Sequence, residues 1–151
     1  RNSKKRRGLE RVAGFTLIEL LISIAIIGIL ASVMIPALLG AQRRSYDTGA
    51  QACAKSLQTV QGLQQIDTRS YSVIGSTGIN STTDGINAAC KQSQIYIADR
   101  SLAANLASDY IIDVWDRRGS KVFTVNPAYL APNTTGATAF SPTGAGGSNL
   151  P

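Results

Sequence analysis

At 151 residues the chain has room for one small domain together with a membrane segment. A net charge of +6 with two cysteines and no histidine excludes histidine-based catalysis and histidine metal ligation. The charge is lopsided: residues 1–14 hold six basic residues and one acidic residue, while the remainder holds nine basic and eight acidic residues and is nearly neutral. Charge therefore makes no case for nucleic-acid binding. Beginning at Arg1 rather than Met, the sequence is expected to be a fragment.

The first element is a short basic leader containing Lys4, Lys5, Arg6, Arg7 and Arg11. Residues 15–39 then form an apolar stretch of about 25 residues interrupted by a single charge, Glu19. A helix of that length reaches ~37 Å, enough to cross a bilayer with some tilt. The basic excess before the span predicts that the N-terminus stays on the cytoplasmic side and the rest is exported, although Arg43 and Arg44 follow it. An ordinary secretory signal fits poorly, because the apolar run is too long and carries an acid. A carboxylate in such a segment costs about 2.5–3.5 kcal/mol when central. Small residues at helical spacing, Gly28 with Ser32 and Ala37 with Ala41, let helices approach closely. Pro36 removes an N–H and is expected to kink or loosen the helix there.

Gly14-Phe15-Thr16-Leu17-Ile18-Glu19, the basic leader before it, the apolar helix after it, Gly28 and Pro36 together resemble the class III signal of type IV pilins and related pseudopilins. The likeness covers roughly residues 8–40. It implies an α+β type IV pilin fold, a long N-terminal helix packed on a small antiparallel sheet. It implies cleavage between Gly14 and Phe15, N-methylation of the new Phe15 amine, and assembly into a helical homo-oligomeric filament. The implied partners are a prepilin peptidase that also methylates, an inner-membrane assembly platform with its assembly ATPase, and the inner membrane itself. The chemistry of the motif suggests its use. Cleavage would free an ammonium at Phe15, one turn before Glu19, and neither charge is comfortable alone in an apolar core. If Glu19 of one copy meets the Phe15 amine of another, the pair fixes the axial register of helices that would otherwise slide.

From Arg43 the pattern turns amphipathic. Ala50, Cys53, Leu57, Val60 and Gln64, with Leu63, recur at helical spacing, so the helix should continue to about Ile66. The expected organisation is a cleaved leader at 1–14, a membrane and assembly half of the helix at 15–41, and an amphipathic half at 42–66. A helix–sheet loop at 67–93, an antiparallel sheet at 94–126 and a Pro/Gly-rich tail at 127–151 follow. The loop is rich in Ser, Thr, Gly and Asn, with a short strand expected at 71–74. Strand signals fall at 94–98, 110–115 and 121–125, the last two joined as a hairpin through Asp116-Arg117-Arg118-Gly119. The tail should be loop with at most an edge strand at 137–140, and its end is expected to be mobile.

Cys53 lies on the buried stripe and Cys90 just before the first strand. An exported head permits a disulfide between them, with two unpaired buried thiols as the alternative. The bridge would close a loop of 37 residues, worth ~4 kcal/mol on a chain-entropy basis. Asp109, Asp113 and Asp116 suggest a cation site, but solvated strand-end charges are the favoured reading. No nucleotide-binding or metal motif and no nucleophile–base pair is evident, so no cofactor, metal or enzymatic activity is expected. Basic residues interleaved with aromatics from Tyr110 to Phe123 offer a weaker reading as a single-stranded DNA contact. The leading functional expectation is a structural pilin, a filament subunit serving adhesion, twitching motility or DNA uptake. The alternatives are a pseudopilin of a type II secretion system and a membrane-anchored binding protein that never polymerises.

Overall fold

The computed structural model describes residues 14–151. The expectations for residues 1–13 lie outside the described residues. Two compact units divide the chain after Leu38.

The first unit has no core. It is the apolar part of a helix, α1 (Leu17–Thr68), and its side chains are exposed almost without exception. By length and composition α1 is able to cross a membrane. It runs through Pro36 as one assigned helix.

The second unit, residues 39–151, holds the rest of α1 and a four-stranded antiparallel meander. The strands are β1 (Ile95–Asp99), β2 (Ile112–Asp116), β3 (Phe123–Val125) and β4 (Leu130–Pro132), in that spatial order. β1 and β2 pair with Ile97 opposite Val114; β2 and β3 pair with Asp113 opposite Thr124. Residues with period 3.6 on α1 meet residues with period 2 on the strands. Ala50, Cys53, Leu57 and Val60 pack with Ile95, Ile97, Ile112, Val114 and Val125 in the main core. Leu63 is half exposed; Gln61 takes the buried place instead. Its amide donates to Ser72 O at 2.6 Å and accepts from Ser72 N–H at 2.9 Å, as a neighbouring strand would. α1 ends where Arg69 turns to φ 58°, two residues past the expected Ile66.

Three local expectations change. No strand forms at 71–74; only an isolated bridge joins Ile74 to Ile79. The edge strand is β4 rather than residues 137–140. Asn126 explains this: its side chain accepts from the N–H groups of Ala128 and Tyr129, reversing the chain directly after β3. Pro132 then sits in the edge strand, where a missing N–H is tolerated. Finally, the C-terminal segment is packed. Every residue of β2 is buried, so both its faces need cover. Trp115 faces away from α1 into a second cluster with Ala98 and Val122, closed by Tyr96, Ala137 and Phe140. Its indole N–H donates to Ser141 O at 3.0 Å. The chain then pairs Ser148 with Ile97 at the free edge of β1 and brings Leu150 into the main core.

Gly147 lies flat on the indole, and a β-carbon there would collide with Trp115. Gly147→Val should lift the C-terminal segment, cost about 1–3 kcal/mol, and red-shift the emission of the single tryptophan. Thermal denaturation and fluorescence check this; an unshifted spectrum would deny the segment its role as a covering layer.

Candidate functional site

The N-terminal motif is built by local hydrogen bonding. Thr16 precedes α1 and Glu19 is the third residue within it, the spacing of a capping box. The Glu19 amide donates to Thr16 Oγ1 at 3.3 Å, while Glu19 Oε2 accepts from Thr16 N–H at 2.9 Å and from Thr16 Oγ1 at 2.8 Å. The Thr-x-x-Glu spacing is a helix-start signal in the sequence, carried by the same acid that interrupts the apolar run. One carboxylate oxygen thus serves the chain's own helix end; among the described residues the other accepts nothing. Phe15 is 85% exposed, with Leu17 and Ile18 beside it. Gly14 precedes α1 in an exposed position. Gly14, Phe15 and Glu19 are therefore brought together at one accessible helix end. Pro36 lies far along α1 from them.

Cys53 and Cys90 are joined by a disulfide, both buried in the main core. It ties α1 to a 3-10 turn, Ala88–Lys91, whose start is capped by the Asn87 side chain.

The three aspartates do not form a common site. Asp109 lies before β2 and its carboxylate accepts from the Tyr110 amide. Asp116 pairs with Arg118, Nη2 to Oδ2 at 2.7 Å. Asp116 and Asp113 are both buried, which overturns the reading of solvated strand-end charges, and Asp113 is wholly so. Arg100 meets it with two hydrogen bonds, at 2.7 and 3.1 Å. Thr124 Oγ1 donates to it at 2.7 Å and the Thr138 amide at 2.6 Å. Burial alone would raise the carboxyl's pKa; the bonds from Arg100, Thr138 and Thr124 outweigh it and hold the group below its usual range. Asp113 thereby links β1's exit, β3 and the C-terminal segment. Its signal in the sequence was an acid inside an apolar run, Ile112-Asp113-Val114-Trp115.

A third buried acid carries no such signal in the sequence. Asp47 on α1 accepts from Ser120 N–H at 2.8 Å, Ser120 Oγ at 2.9 Å and Lys121 N–H at 3.1 Å. Gly119 gives the turn room, since a β-carbon there would strike the Asp47 carboxylate. One residue earlier, Tyr46 lies under the Arg118 guanidinium, 4.2 Å from ring centroid. The β2–β3 turn is thus clamped onto α1. The clamp also removes the DNA-stacking reading: Arg118 is engaged, and Tyr110, Trp115 and Phe123 are buried.

A family model described as the prokaryotic N-terminal methylation motif matches residues 10–35. Over 101 residues the chain is 43% identical to the type IV wide pilus major component PilA4 of Thermus thermophilus, spanning 62% of this chain and 77% of that one. Over 51 residues it is 51% identical to the type IV major pilin protein PilA of Myxococcus xanthus, covering 34% of this chain and 23% of that relative.

Asp113 generates a pH prediction. A carboxyl whose pKa is lowered by folding contributes stability that is present above its unfolded pKa of ~3.9 and is lost as pH falls through the lower folded value. The melting temperature of the head should therefore drop below about pH 4. Asp113→Asn should flatten that drop. At pH 7 it should cost about 2–4 kcal/mol, less than for a fully enclosed pair because the Arg100 side chain is 33% exposed. Melts at pH 7 and pH 3 check both; an unaltered acid limb in the variant would contradict the assignment.

Proposed function

This chain belongs to the type IV pilin family and is a pilus structural subunit with a membrane-anchoring apolar helix, and we propose that it polymerises through the freed amine of Phe15 and the carboxylate of Glu19 on a neighbouring copy. The precursor is held in the inner membrane with its leader inside and its head outside. A prepilin peptidase cuts between Gly14 and Phe15 and methylates the new amine, which keeps its positive charge. An assembly platform and its ATPase then move the subunit into the filament. Neither a secretion pseudopilin nor a non-polymerising anchor is favoured by the relatives.

The observation that carries this reading is the exposed apolar surface beside a single acid. Sixteen large apolar side chains in residues 15–39 are more than half exposed. Lipid covers them before assembly and neighbouring helices cover them afterwards. Glu19 stands at the accessible end of this surface, and one of its carboxylate oxygens accepts nothing among the described residues. A neighbour's ammonium supplies both the missing donor and the missing counter-charge.

The reading is tested by Glu19→Val. Because the substitution leaves Gly14 and Phe15 intact, the chain should still be cleaved and should accumulate in the membrane. Filaments sheared from the cell surface should fall at least tenfold, corresponding to about 1.4 kcal/mol or more lost per docking step. Intact-mass analysis of the N-terminus together with quantification of sheared material gives both answers. Normal filament yield from cleaved Glu19→Val protein would remove the acid from assembly.

A further inference from the structure

The lower end of the head carries an unbalanced charge that assembly through Phe15 and Glu19 does not use. Arg43 and Arg44 follow Leu39 by four and five residues on α1. The clamp of Asp47 on Ser120 and Lys121 brings the β2–β3 turn to the same level. Arg44 and Lys121 share the wall of one open groove of about 270 Å³, lined also by Asp47, Thr48 and Gln51. The acids of this region are already engaged: Asp116 holds Arg118, and Asp47 accepts three hydrogen bonds. Arg43, Arg44, Arg117 and Lys121 are exposed, and none has an ion-pair partner among the described residues.

The position of these four cations names their partner. A helix rises 1.5 Å per residue, so Arg43 and Arg44 stand ~6–8 Å past the end of the apolar run. The headgroup layer on each side of a bilayer is ~5–7 Å deep. Long basic side chains at that height reach back to phosphates. Tyr46, an interfacial type of residue, sits in the same turn. The aromatic rings on which a single strand could stack are engaged: Tyr110, Trp115 and Phe123 are buried and Tyr46 lies under Arg118.

We propose that Arg43, Arg44, Arg117 and Lys121 form a collar for anionic phospholipid headgroups on the head side of the membrane. The collar seats the β2–β3 turn on the bilayer while the subunit awaits assembly. This rests on the reading of residues 15–39 as a membrane span. Each cation adds about fivefold to the preference for an anionic over a neutral surface.

Lysine labelling of the full chain in nanodiscs tests the collar, because Lys55 and Lys91 provide references in the same molecule. Lys55 lies eleven residues beyond Arg44, ~16 Å up the helix and past one Debye length. With an amine-reactive reagent read by mass spectrometry, Lys121 should label about threefold or more slowly in discs containing anionic phospholipid than in zwitterionic discs. Lys55 and Lys91 should not change, and about 1 M salt should erase the difference. Arg44→Glu combined with Arg117→Glu should also erase it, with Lys55 and Lys91 rates reporting that the head remains folded. Equal Lys121 rates in the two discs would overturn the collar, as would a difference that survives the double variant. Equivalent protection in zwitterionic discs by inorganic phosphate, or by a single-stranded oligonucleotide, would assign the cations to free phosphate or to nucleic acid instead. A chain that fails to float with lipid vesicles would remove the membrane span, and the collar with it.

Discussion

Residues 15–39 combine an apolar surface that cannot remain in water with a carboxylate that does not belong in oil. The two terms differ greatly in size. Burying sixteen large apolar side chains is worth roughly 25–50 kcal/mol of gross transfer free energy. The acid opposes this by about 3 kcal/mol at most. Glu19 therefore has no influence on whether the segment is buried. In the proposed assembly its influence is on the alignment of what buries it, because a uniformly greasy rod has no preferred axial position against its neighbours. The capping box gives the carboxylate a second task at the same place. By satisfying two donors of Thr16 it holds the helix start in a defined geometry.

The head answers a different problem. A three-residue β3 and β4 leave little sheet, so β2 is covered twice, by α1 on one face and by the C-terminal segment on the other. Burying β2 completely also buries Asp113, which is tolerable only because Arg100, Thr124 and Thr138 answer it. Asp47 plays the equivalent part between α1 and the β2–β3 turn. With the disulfide between Cys53 and Cys90, Asp47 fastens α1 to the rest of the head, while Asp113 fastens the sheet to its C-terminal cover.

The sequence made the architecture legible where periodicity is strong. The apolar run, the amphipathic continuation through Ala50, Cys53, Leu57 and Val60, and the hairpin around Asp116-Arg117-Arg118-Gly119 all follow from spacing. The Gly14–Glu19 motif named the family because several demands coincide in six residues. What escaped depends on long-range polar contacts. Asp47 and Asp113 look like surface charges until strands far along the chain provide their donors. Glycines in the C-terminal segment look like disorder until Trp115 is found beneath Gly147. Asn126 looks like loop composition, yet its carboxamide chooses which residues become β4.

Density of the assembled fibre, at a resolution that separates side chains, tests the central claim most directly. The distance to measure runs from the Phe15 nitrogen of one copy to the nearest Glu19 carboxylate oxygen of its neighbours. The account predicts a charge-assisted hydrogen bond of about 2.7–2.9 Å in every repeat. A Glu19 carboxylate bonded only to its own Thr16, with every neighbour's amine farther than about 6 Å away, would contradict it.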